Sequence, residues 1–108
     1  MVKLYRGDVV EVFYPFGKGE LKSRPVIILQ NTNKSSDAIT VYCTSQNNGD
    51  DDNNIFVLAD SDVGRQMGVT KDTYIRPKVI KTIDLFYMKR PIGKCPLMQE
   101  IQRIIDKV

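Results

Sequence analysis

The chain contains no histidine, so a Ser-His-Asp triad, a histidine general base and an imidazole-based zinc site are all closed to it. Any catalysis must draw on Arg, Lys, Asp, Glu, Tyr, Ser, Thr or Cys. Arg24 and Arg76, with the hydroxyl pair Thr44 and Ser45, suit chemistry at phosphorus, because a guanidinium fork donates to two phosphate oxygens at once. Taken singly, each has a plain structural use. Arg24 at a strand entrance can cover apolar surface with its stem, and Thr44-Ser45 before Asn-rich sequence is ordinary strand-ending chemistry. Arg76 before Pro77 reads as one more solvated cation, and Glu20 as a surface carboxylate. Cys43 and Cys95 stand far apart, with no CxxC pair, and are predicted to be reduced thiols in or near the core.

The elements that must position these side chains fit into 108 residues. That length predicts one domain, 1–108, hiding roughly two-thirds of the surface the unfolded chain exposes. Hydrophobic residues make up 42% and charged residues 27%, and no apolar run nears the roughly 20 residues of a membrane span. MVKLYRGD has no apolar stretch after its basic residues, so the expectation is no signal peptide and a cytoplasmic location. The net charge of +3 is uneven. Residues 48–72 hold two basic and six acidic side chains, whereas 73–108 hold eight basic and three acidic ones. The Asp50–Asp52 run reads as a solvated loop. The basic crowd of Arg76, Lys78, Lys81, Lys89, Arg90 and Lys94 makes nucleic acid the first partner to suspect, through counterion release.

Strand patterns dominate the first eighty residues. Val9–Phe13, Pro25–Gln30, Ile39–Cys43 and Ile55–Leu58 read as strands separated by turn-rich segments, with YPFGKGELKSR as a long hairpin connection. Thr73–Ile75 and Val79–Ile83 look extended; Pro77 between them removes a backbone donor, which reads as an edge, a bulge or two separate strands, with a break expected at Pro77. From Pro96 onward the period changes: Leu97, Ile101, Ile104, Ile105 and Val108 form an apolar stripe. That pattern predicts an amphipathic helix with Pro96 at its first position and the stripe against the core. The fold class is α+β, a small, strongly bent antiparallel sheet or partial barrel carrying a C-terminal helix.

RGDVVEVFYPF, KSRPVIILQN and VYCTSQ, followed by TYIRPKVIKTID, together resemble the MazF/PemK family of toxins from bacterial toxin–antitoxin pairs. The resemblance runs from about Arg6 to the terminal helix. Its most specific parts are RGDVV, the Arg24-Pro25 pair, the Thr44-Ser45 pair and Lys81-Thr82-Ile83-Asp84. It implies an SH3-like barrel and a homodimer. It implies a metal-independent, cofactor-free endoribonuclease that cuts single-stranded RNA at short sequences, leaves 2′,3′-cyclic phosphate ends and is held inactive by an acidic antitoxin. By the same resemblance Arg24, Thr44, Ser45 and Arg76 fall on catalytic positions, and Glu20, Lys22, Lys78 and Lys81 are assigned to RNA binding. Many relatives carry a carboxylate where this chain has Lys78, which leaves the general base between Arg24 and Glu20. Two other readings stand beside this one: a gyrase inhibitor of the CcdB type, and an RNA-binding relative without catalysis.

Overall fold

The computed structural model describes residues 3–14, 22–32, 36–46 and 53–107; Tyr14 and Lys22 are described by their backbone. Glu20, most of the YPFGKGELKSR segment, the Asp50–Asp52 run and Val108 lie outside the described residues. Six strands, β1 (Asp8–Tyr14), β2 (Lys22–Ile28), β3 (Asp37–Thr44), β4 (Ile55–Val57), β5 (Thr73–Asp84) and β6 (Met88–Lys94), form one sheet. Its order is β4-β5-β3-β2-β1-β6, every pairing is antiparallel, and it curls into a half-barrel. Helix α1 (Asp62–Met67) follows β4, a 3-10 turn (Leu85–Tyr87) joins β5 to β6, and α2 (Met98–Ile105) follows β6.

Alternation along each strand divides the apolar residues between two faces. Val9, Ile27, Val41, Cys43, Val57 and Ile75 face a larger core. Both helices close it, through Met67 of α1 and through Met98, Ile101 and Ile105 of α2. The opposite face carries a smaller core of Leu4, Val10, Val12, Val26, Ile28, Ala38 and Ile83, roofed by Leu85, Tyr87 and Met88 around the 3-10 turn. Among the described residues, this roof lies over one end of the face only.

The predicted break at Pro77 is instead a bulge inside a continuous strand. Tyr42 pairs with Arg76 and Val41 with Ile80, so Pro77, Lys78 and Val79 have no counterparts on β3. Strand β4 pairs with β5 only at Thr73, Tyr74 and Ile75, so Pro77 sits where no outer neighbour needs its missing N–H. An odd insertion also reverses the facing of everything after it. Ile75 thus joins the larger core and Ile83 the smaller one, although eight residues separate them.

Two elements were not expected from sequence. β6 takes up Met88–Lys94 as an edge strand despite Pro91, and α1 occupies DVGRQM. Ser61 caps α1, its Oγ accepting from the Gly64 N–H at 3.1 Å, and Gly68 ends it in the left-handed region at φ 74°. The terminal helix starts later than predicted: Leu97 is its N-cap, and Pro96 precedes the cap. Its stripe does face the core, with Ile101 fully buried.

The RGD motif is scaffold. Gly7 turns the chain at φ 95°, and buried Asp8 accepts from the Tyr5 N–H at 2.8 Å and from Lys94 Nζ at 3.0 Å. Arg6 donates to the Leu29 carbonyl and to Gln102 of α2. Asp84 of the Lys81–Asp84 motif likewise caps the 3-10 turn by accepting from the Phe86 N–H. Both cysteines are buried free thiols.

Two measurements check this architecture. A Cβ at Gly68 would stand 1.9 Å from the Ile92 carbonyl oxygen, on a backbone that side chains already disfavour. Gly68→Ala should therefore lower stability by about 2–4 kcal/mol, read as a fall in the urea midpoint with an unchanged slope. Burial pushes the Cys43 thiol well above its ordinary range, so the folded state keeps a proton that the unfolded chain releases. Folding stability is therefore untouched by this thiol below about pH 8 and falls above about pH 8.5, by up to about 1.4 kcal/mol per pH unit, as the unfolded chain ionises. Urea midpoints between pH 7 and 10 should show that decline, and Cys43→Ala should reduce it, the remainder coming from Cys95, whose thiol burial also pushes up.

Candidate active site

The half of the smaller-core face beyond the roof carries the polar residues. On β2, Arg24 follows the same alternation as Val26 and shares its face; on β3, Tyr42 and Thr44 lie opposite Val26 and beyond it. Arg24 donates from Nη1 to Thr44 Oγ1 at 3.1 Å, and its guanidinium carbon stands 5.9 Å from the centre of the Tyr42 ring. Lys81 approaches that ring from β5, with Nζ 5.7 Å from its centre. Arg76 is paired with Tyr42 in register and shares its face. The Arg76 Nε is buried and has no hydrogen-bond acceptor among the described residues, a costly arrangement that an anionic ligand would relieve.

Thr44 is buried and does two things at once. Its Oγ1 accepts from Arg24 and also from the Gln46 N–H at 3.1 Å. It therefore fixes the guanidinium while turning the chain out of β3. Arg24, Tyr42, Thr44, Arg76 and Lys81 thus form a cationic, aromatic-centred surface. Lys81 lies on this face only because of the bulge, which restores it to the side shared with Arg76.

Other residues fall elsewhere. Ser45 is exposed just past β3 and lines a cavity of about 380 Å3, together with Arg24, Thr44, Lys71, Arg90 and Glu11. Lys22 opens β2 opposite Tyr14. Lys78, in the bulge, donates to the Ile105 and Lys107 carbonyls at the end of α2. It ties the helix terminus to the sheet, where a cation also complements the helix dipole. Tyr42, Glu11 and Lys71 were missed by sequence reasoning. Glu11 lies 3.8 Å from Lys89 and 3.9 Å from Arg90, and it is the one carboxylate among the described residues lining the cavity. Its only sequence signal was a charge interrupting Val9–Phe13. Among the described residues, no three His, Cys, Asp or Glu side chains come together as a metal site. No helix there is long and apolar enough to cross a membrane.

Residues 5–108 match the model of the PemK-like, MazF-like toxins of type II toxin–antitoxin systems. The chain belongs to that family. No curated protein is matched. Solved MazF-like structures share its fold at low identity. MazF from Deinococcus radiodurans superposes with a TM-score of 0.72 at 13% identity, over 97% of this chain and 94% of that one. A mycobacterial endoribonuclease in complex with its cognate antitoxin gives 0.66 at 17% identity, over 94% and 90%. The MazE–MazF complex of Deinococcus radiodurans gives 0.69 at 13% identity, over 97% and 93%. The PemK-like fold therefore accounts for nearly the whole chain, including β6 and α1.

Replacing Thr44 by valine keeps its shape and removes the acceptor. Thr44→Val should remain folded, lose about 1–2 kcal/mol in urea unfolding through the unpaired Gln46 N–H and the released guanidinium, and lower any activity that depends on Arg24.

Proposed function

We propose that this PemK-like, MazF-like toxin is an endoribonuclease, a single cytoplasmic domain that cuts single-stranded RNA at short sequences without a metal ion or other cofactor. The observation that carries the reading is Arg24 held by Thr44 and set, with Lys81, against the Tyr42 ring, while Arg76 is the register partner of Tyr42 on the same face. The endoribonuclease names borne by structural neighbours support it.

The chemistry follows from these groups. The RNA 2′-oxygen attacks the adjacent phosphorus, losing its proton to a base, while the bond from phosphorus to the 5′-oxygen breaks and that oxygen takes up a proton. The products are a 2′,3′-cyclic phosphate and a 5′-hydroxyl. Arg24 donates to the non-bridging oxygens as negative charge builds, a role that a preorganised donor performs best in the transition state. Arg76 supplies a second guanidinium, its Nε already desolvated, and Lys81 holds a neighbouring phosphate. Thr44 positions Arg24, and Ser45 offers a hydroxyl at the cavity. Glu11 adds a carboxylate to the candidate bases, beside Arg24 and Glu20.

The chain acts as a homodimer and is inhibited by an acidic antitoxin segment covering the cationic face. Neighbours solved with a cognate antitoxin support that partner class. The gyrase reading would need the terminal helix to engage another protein, but Met98, Ile101 and Ile105 are committed to the core.

The test incubates purified protein with a long single-stranded RNA in EDTA and maps the new ends. Discrete cuts bearing 2′,3′-cyclic phosphate are expected, and Arg24→Ala should slow them about 10²–10³-fold. Intact RNA, or unchanged cutting by folded Arg24→Ala, would overturn the proposal.

A further inference from the structure

An aromatic pair stands beside the cationic face without a part in either core. On β4, Ile55 and Val57 point to the larger core, so Phe56 points to the opposite face, where it is 50% exposed. Its register partner Tyr74 lies on that face too, the rings 4.7 Å apart and inclined at 40°. Tyr74 is in turn the register partner of Thr44. Thr44, Tyr74 and Phe56 therefore form one row across three neighbouring strands. At about 4.8 Å per strand, Phe56 lies about 10 Å from the threonine that holds Arg24.

Resting on the endoribonuclease reading, we propose that Phe56, backed by Tyr74, is a stacking platform for one base of the substrate RNA, one or two nucleotides from the scissile phosphate. A half-exposed phenylalanine on a three-residue edge strand is an aggregation hazard unless something covers it. Its neighbours say what. Flat π-faces set in a row of cations are the combination that binds single-stranded nucleic acid, with the cations tracking phosphates while the rings take bases. Arg24, Arg76 and Lys81 provide the cations on the same face. Tyr74 lies against the Phe56 ring, and half of the Phe56 side chain stays exposed among the described residues, where a base can stack. Stacking tolerates any base, so the platform adds affinity and register, while the choice of sequence rests on other contacts.

The chain has no tryptophan, so Phe56→Trp places a single indole reporter at the site. The probe is an oligoribonucleotide carrying the mapped cleavage sequence, with a 2′-O-methyl group blocking the attacking oxygen. Saturating probe should quench the emission, and replacing one nucleotide at a time by an abasic residue should abolish the quench at one position only. Phe56→Leu, which keeps an apolar strand residue but removes the π-face, should raise KM for RNA about tenfold with kcat within twofold and an unchanged urea midpoint. Bound probe, seen by anisotropy, with unaltered emission or an unaltered KM in Phe56→Leu would overturn the platform and leave the endoribonuclease standing. Quenching by an acidic antitoxin peptide but not by RNA would also overturn it, assigning the rings to a protein partner. A wild-type protein that cuts no RNA would overturn the endoribonuclease reading itself.

Discussion

The three residues Pro77, Lys78 and Val79, inserted into β5 without counterparts on β3, set much of what each face of the sheet contains. Because the inserted number is odd, the strand changes sides once along its length. Before the bulge Ile75 fills the larger core while Arg76 faces outward; after it Ile83 fills the smaller core and Lys81 rejoins the outward group. A regular strand through the same residues would send Lys81 to the side of Ile75, among apolar groups where an unpaired ammonium is costly. The bulge also lifts Lys78 out of the ladder, so its ammonium reaches the last carbonyls of α2.

From this follows a division of labour between the faces. The helix-covered face carries the larger core and supplies the greater part of the hydrophobic driving force. The other face is closed at one end by Leu4, the 3-10 turn and Met88, and among the described residues its remaining half takes no part in the core. Side chains there can be chosen for charge and shape. Thr44 marks the boundary: buried enough to have one well-defined geometry, yet within reach of Arg24 at 3.1 Å. Fixing a long, rotamer-rich guanidinium in advance removes an entropic cost that would otherwise fall on ligand binding.

The strands were legible because Val9–Phe13, Pro25–Gln30 and Ile39–Cys43 combine β-branched residues with turn chemistry at both ends. β6 was not, because Pro91, Gly93 and three basic residues obscure alternation; as an edge strand it tolerates the proline, and Gly93 allows close approach to Met67 of α1. Helix α1 is short, and Ser61 and Gly68 announce it only when read as a matched pair of caps. Arg24 and Thr44 were visible through the order of motifs, but Tyr42, Phe56 and Tyr74 looked like ordinary strand residues. Whether an aromatic faces core or solvent depends on register, and here register depends on an insertion whose length the sequence does not disclose. Lys78 and Lys81 illustrate the same point: three residues apart and chemically alike, they serve a helix terminus and an aromatic ring.

The two margins of the sheet are unlike its faces. On one side β6 presents Lys89, Arg90, Pro91 and Lys94, and on the other β4 is only three residues long. Proline withholds a donor, like charges repel the same edge of a second copy, and a three-residue margin offers few ladder bonds. A second polypeptide gains little by extending this sheet strand by strand. Assembly is thereby channelled into side-chain docking on the curved faces, where shape and charge can discriminate between partners in a way that backbone pairing cannot.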